Sequence, residues 1–256
     1  MSELIIDAHV HLPVYDNLLT LEDKRRQLLQ DMKKDHVDKC VLISDSELES
    51  YIGSMEDCIR LFADNENVLV VCGISPLIDF DKQLERLRHH IESGEAAGIK
   101  LFPGHEGFYL SDSRLLPVWH LAEEYAVPVL FHSGWDNSFY ASPSEVRKVL
   151  NEHPKLKMVC CHCFYPDIKE CLQLTELQGL MFDLSSIADE EETVVKLMPH
   201  IKELLELIPD RIMFGSDYAS CKREPHLQMI ESLGLSPEIK TKVMAENALS
   251  LYSRRA

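Results

Sequence analysis

Ile5-Ile6-Asp7-Ala8-His9-Val10-His11-Leu12 places two histidines two residues apart at the end of a short apolar run. In a strand, side chains i and i+2 point to one face. His9 and His11 therefore project into a common space, as two ligands of one divalent ion must. One such pair is weak evidence, and its meaning depends on how the other apolar runs end.

Seven more runs of the same kind follow: Cys40–Ser44, Val68–Ile74, Ala97–Phe102, Pro128–His132, Lys157–His162, Leu180–Leu184 and Arg211–Gly215, after a first run over Leu4–Ala8. Each is short, nearly continuous and rich in Val, Ile, Leu, Met and Cys, as suits strands of a parallel sheet buried on both faces. Between them the pattern predicts helices over Leu21–Asp35, Met55–Asn65, Phe80–Glu92, Ser113–Tyr125, Ser144–Glu152, Asp167–Leu177 and Glu191–Leu207. An eighth helical region runs from about Pro225 to the C-terminus. Ser142-Pro143-Ser144-Glu145 and Ser236-Pro237-Glu238 read as helix starts, and Pro128 stops the preceding helix. Eight strand–helix units in 256 residues predict a single-domain α/β protein, a (β/α)8 TIM barrel spanning 1–256. A doubly wound open sheet is the competitor, but no G-x-G-x-x-G or P-loop favours it.

Composition narrows the function. The net charge of −17 opposes nucleic-acid and anionic-membrane binding. No apolar stretch reaches the ~18 residues of a membrane span, and no secretory signal is read at the N-terminus. A cytoplasmic protein with a small-molecule substrate is expected, and a homo-oligomer is allowed. The eight cysteines include Cys160, Cys161 and Cys163 but no C-x-x-C pair, so buried reduced thiols are expected. Strict alternation from His162 would turn Cys161 and Cys163 toward the helices and leave Cys160 deeper in the barrel.

A TIM barrel carries its site at the C-terminal ends of its strands. The first run ends in His9 and His11, the fourth contains Lys100, the fifth ends in His132, the sixth in His162, and Asp217 follows the eighth. Singly each has an ordinary explanation: a core histidine, a snorkelling lysine, a turn aspartate. Five such groups on one rim point to a metal site. Imidazoles with a carboxylate suit Zn²⁺ first, and also Mn²⁺ or Fe²⁺. Asp217 is placed to move a proton as a catalytic base and acid. Rim loops supply Trp135, Tyr109 and Arg223 as candidate substrate contacts, Arg223 for a substrate carboxylate. Asp183 is placed to support a ligand or to bond the barrel backbone.

The pieces Asp7-Ala8-His9-Val10-His11, Gly98–Pro103, Phe131-His132-Ser133-Gly134, Cys161-His162-Cys163, Phe182-Asp183-Leu184-Ser185, Phe214-Gly215-Ser216-Asp217 and Glu246–Tyr252 together resemble the amidohydrolase superfamily, in its amidohydrolase-2 branch of metal-dependent hydrolases and decarboxylases. The resemblance implies that His9, His11, His132 and Asp217 bind one ion rather than two. It makes His162 a second-metal ligand or a group that holds and protonates substrate. Lys100 lies where two-metal relatives place a carboxylated lysine, and its presence with the acidic charge opposes a TatD-like nuclease. Cys163-Phe164 depart from the small residues common beside the sixth-strand histidine. The expected reaction is hydrolysis of a C–N or C–O bond in an amide, lactam, lactone or ester. Decarboxylation of a small carboxylic acid is the alternative, and a metal-binding barrel without chemistry is the third reading.

Overall fold

Eight parallel strands pair in sequence order in the computed structural model, which describes residues 4–47, 49–135 and 137–253. They are β1 (Ile6–Val10), β2 (Lys39–Ile43), β3 (Val68–Gly73), β4 (Ala96–Leu101), β5 (Val129–Phe131), β6 (Met158–Cys160), β7 (Leu180–Asp183) and β8 (Ile212–Met213). Ala8 N donates to Phe214 O (3.0 Å) and Asp217 N to His9 O (2.9 Å), and Val10 bridges Tyr218. These bonds bring the last strand to the first, so the sheet is the expected TIM barrel.

The helices outside it are α1 (Leu21–Lys34), α2 (Met55–Phe62), α3 (Phe80–Ser93), α4 (Leu116–Tyr125), α5 (Pro143–Glu152), α6 (Glu191–Leu207), α7 (Arg223–Ser232), α8 (Pro237–Thr241) and α9 (Asn247–Tyr252). Thr20–Asp23 and Ser54–Asp57 form reciprocal capping boxes that start α1 and α2. Two helical expectations change. The segment expected as a helix over Asp167–Leu177 is instead a tight 3₁₀ stretch, Ile168–Leu174. The last region divides into α7 and a second helical stretch, in which a π-turn over Lys242–Glu246 joins α8 to α9. Asn247 there donates to Ile212 O (2.7 Å) and Pro209 O (2.8 Å), tying the chain end to β8. Among the described residues no helix is long and apolar enough to cross a membrane.

Inside the barrel, Ile6, Ala8, Val41, Ile43, Val71, Leu130, Val159, Met181 and Met213 form one buried cluster. Ala248 and Tyr252 join it, with Tyr252 lining the same crevice as Ile6, Lys39 and Leu69 at the N-terminal strand ends. A larger cluster fills the space between strands and helices. The opposite mouth is thereby left for chemistry.

Strand β1 breaks alternation. Asp7 pairs with Cys40 but Val10 pairs with Leu42, so β1 carries one extra residue between them. Such a bulge re-aims side chains. Ala8 joins the interior cluster and Val10 the outer one, while His9 and His11 both line the mouth cavity. Asp7 stays outside the barrel wall, bonded to Ser216 and Arg223.

Candidate metal centre and active site

The mouth holds a cavity of about 570 Å³ whose floor includes His9, His11, Lys100, His132, His162 and Asp217. All six residues expected to carry the chemistry therefore meet in one space. Lys100 comes from β4, paired with Leu130 in the interior layer below. His132 follows β5 by one residue.

His162 arrives by a different route from the one expected. β6 stops at Cys160, and His162 and Cys163 sit at φ of 65° and 50° inside a 3₁₀ turn. Left-handed backbone at non-glycine residues is uncommon and concentrates at functional sites. The turn brings His162 back to the mouth and exchanges the expected places of Cys160 and Cys161, while Cys163 faces the helices as expected. Cys161 belongs to the barrel interior, whereas Cys160 and Cys163 pack in the outer core.

Asp183 organises this side of the site. Oδ2 accepts from His9 Nδ1 at 3.0 Å, and Oδ1 accepts from the backbone N–H of His162 (3.1 Å) and Ser185 (3.2 Å) and from the Ser185 hydroxyl. Burial alone would raise its carboxyl. The adjoining His9 imidazole and its hydrogen bond outweigh burial and hold it well below the usual carboxylate range. Ser185 Oγ also meets His162 Nδ1 at 2.8 Å.

An ionised carboxylate only accepts, so His9 Nδ1 carries the proton and Nε2 presents its lone pair. His11 Nδ1 likewise donates to Ile43 O (3.0 Å), which turns its Nε2 toward the cavity as an acceptor. Asp217 Oδ1 lies 3.6 Å from His9 Nε2 and 3.4 Å from His11 Nε2. His9 Nε2 is fully buried and has no hydrogen-bond partner. Two imidazole lone pairs and a carboxylate face one another, an arrangement that calls for a shared proton or a cation. This donor set fits a divalent ion, and its ligand atoms lie within 4.8 Å of one another.

Burial, chiefly, lowers the His9 basicity, although Asp183 opposes it. His132 and His162 are pushed well below the ordinary histidine value, first by burial and then by neighbouring imidazoles. They are held neutral, the form that binds metal. Burial opposes ionisation of Asp217, but the facing His11 and His9 imidazoles and the Lys100 side chain prevail and hold its carboxyl below the usual range. Asp217 itself adopts φ of 62°, fixed by the bond from its N–H to His9 O. Gly215, two residues earlier, allows the close approach: a Cβ there would lie 3.1 Å from His9 Cβ and 3.2 Å from Ser185 Cβ.

His132 lines the same cavity but stands outside the close ligand group, with its ring 4.0 Å from that of His105 and 5.0 Å from that of His162. Trp135 lies against it, nearly parallel at 5.7 Å, and reaches His162 edge-on, as a cavity wall should. Tyr109 does not line the cavity. It is exposed and packs on Tyr140 and Phe139. Arg223 is likewise corrected: it is buried outside the barrel, with Nε 2.7 Å from Asp7 and Nη1 2.7 Å from Asp35. It touches no part of the cavity.

Asp45, Ser46 and Glu106 also line the cavity. Glu106 accepts from Ser46 Oγ at 2.7 Å and from the Ser75 hydroxyl, and burial raises its carboxyl. The second-strand loop was not expected to contribute. Its only signal is the polar Ser44-Asp45-Ser46 directly after the strand.

Fold and donor set together define a TIM barrel with a histidine–carboxylate centre at its mouth. The amidohydrolase family model (Amidohydro_2) matches residues 6–254, and the chain belongs to that family. Similar solved structures include a TIM-barrel protein of Bordetella bronchiseptica (17% identity, TM-score 0.78, covering 97% of this chain and 98% of that one). A 2,6-dihydroxybenzoate decarboxylase from Rhizobium is similar too (14%, TM-score 0.69, 98% and 99%). So is a dihydroxybenzoic acid decarboxylase from a Polaromonas species with bound manganese (12%, TM-score 0.66, 98% and 97%). No match was found among curated proteins.

Proposed function

We propose that the cavity is the active site of a metal-dependent hydrolase that cleaves a C–N or C–O bond in a small amide, lactam, lactone or ester. The observation that carries this reading is the convergence of His9 Nε2, His11 Nε2 and the Asp217 carboxylate beside an open cavity. These three residues would hold the ion, with His132 as the fourth candidate. Zinc suits the donors best, and manganese or iron also fit. When bound, such an ion lowers the pKa of water from 15.7 to about 7 and polarises a substrate oxygen.

The chain's own residues supply the remainder. Asp217, ionised at neutral pH, accepts a proton from the attacking water and returns it to the departing nitrogen or oxygen. Asp183 fixes the His9 ring so that Nε2 faces the cavity. His162, neutral and anchored by Ser185, presents a polar ring edge to substrate, and Trp135 closes the apolar wall.

Decarboxylation is the second reading, favoured by the named functions of two similar structures and by the buried Lys100 cation on the cavity floor. The deciding assay presents amides, lactams, lactones, esters and small carboxylic acids to the metal-loaded protein. Hydrolysis predicts water-added products, falling about 10²–10⁴-fold in Asp217→Asn. CO₂ release without water addition would transfer the assignment to the second reading. Unchanged turnover in Asp217→Asn would refute the role of that residue.

A further inference from the structure

Asp7 is fully buried and lines no part of the mouth cavity. A carboxylate offers about four acceptor positions, and the Asp7 side chain is met by four donors. Oδ1 accepts from the backbone N–H of His9 (3.4 Å) and of Ser216 (2.9 Å). Oδ2 accepts from the Ser216 hydroxyl (2.6 Å) and from Arg223 Nε (2.7 Å). One side chain thus holds both the strand that carries His9 and His11 and the turn that carries Asp217.

That turn needs holding. Asp217 has φ of 62° without being glycine, a backbone state that persists only where the surroundings over-determine it. Its neighbours on both sides are tied to Asp7. Ser216 is bound directly, and the Tyr218 N–H donates to Ser216 Oγ at 3.0 Å. Tyr218 is fixed a second time, with its hydroxyl 2.7 Å from Asp31 Oδ2 and its ring centroid 4.4 Å from the Arg223 guanidinium. The backbone adds cross-bonds between the same two segments, from the Asp217 N–H to His9 O (2.9 Å) and from the His11 N–H to Tyr218 O. The Ser216 hydroxyl is the link in this bracket, because it donates to Asp7 and accepts from Tyr218 while fully buried.

We propose that Asp7, acting through Ser216, is a positioning residue that sets the Asp217 carboxylate against His9 Nε2 and His11 Nε2. Its consequence for metal binding rests on the reading of those three residues as ligands. The placement of Asp217 itself does not depend on that reading.

Ser216→Ala is the test, because it removes one hydroxyl and changes no charge. It leaves Asp7 Oδ2 one donor short and the buried Tyr218 N–H without its acceptor. Zinc affinity, measured by competition with a chelating dye, is expected to fall about 10–100-fold. Ser216→Cys, with a weaker donor at the same place, should fall between Ser216→Ala and the wild type. Asn247→Ala is the structural control: it breaks two bonds to the backbone at Pro209 and Ile212 and touches no ligand. It should lower the melting temperature and leave zinc affinity unchanged. Crystal structures of the metal-free wild type and Ser216→Ala give a readout without metal. The Asp217 carboxylate should move from His9 and His11 by more than about 0.5 Å, the tolerance of a positioned site. A wild type that binds no zinc, with Asp217 displaced in the variant, would end the metal reading and leave this one standing. An Asp217 unmoved in Ser216→Ala would overturn the proposal. So would zinc bound as tightly by Ser216→Ala as by the wild type, or an equal loss of affinity in Asn247→Ala.

Discussion

Replacing Arg223 with methionine should damage stability far more than any direct contact with substrate. Arg223 and Asp7 are 2% and 0% exposed, and their 2.7 Å bond is joined by a second from Arg223 to Asp35. Removing one partner of such a pair leaves an uncompensated buried charge and costs about 3–5 kcal/mol. An isolated aspartate escapes by taking a proton, which from an ordinary value near 3.9 costs about 4 kcal/mol at pH 7, so the loss is bounded near that figure. Over 256 residues the unfolding entropy is about 0.5 kcal/mol/K, which converts the loss to a fall of about 7 °C. The same bound shrinks by about 1.4 kcal/mol for each pH unit below 7, so the gap to wild type should narrow at pH 5. Thermal unfolding of the metal-loaded protein at both pH values is the assay. A melting temperature within 2 °C of wild type at pH 7, or a gap that widens at pH 5, would refute the reasoning.

Asp183→Asn loses the acceptor that fixes the His9 ring, and metal affinity should fall about 10–100-fold by competition with a chelating dye. His132 and His162 have folded values below their unfolded value near 6.5, so the stability they contribute is present above pH 6.5 and is lost as pH falls through it. Metal-free protein should lose stability between pH 6 and 5 in urea titrations, and the loss should be less steep in His162→Gln. Gly215→Ala pushes a methyl against His9 and Ser185, and metal titration should show weaker binding while circular dichroism keeps the wild-type helix content.

The barrel was legible because each strand is a short apolar run and several helix boundaries carry their own chemistry. Position within or at the end of an apolar run found Lys100, His132 and Asp217. His9 and His11 were found for a partly wrong reason: simple alternation pairs them correctly but hides the bulge that lets Ala8 and His9 both turn inward. His162 shows the limit more sharply. Alternation assumed an extended chain through Cys163, but left-handed residues intervene and exchange the places of Cys160 and Cys161. Arg223 and Tyr109 lie beyond strand ends, where no periodicity says which way a side chain faces. Arg223 turned to Asp7, a partner 216 residues away in sequence. The π-turn before Asn247 and the 3₁₀ stretch after His162 are likewise set by tertiary packing, which overrides local propensity.

The metal content of the purified protein, measured beside that of His9→Ala and Asp217→Asn, tests the central claim most directly. One divalent ion per chain in the wild type, with its loss or near-loss in both variants, is the predicted result. A wild type that binds no divalent ion on titration, or variants that bind it as tightly as the wild type, would contradict it.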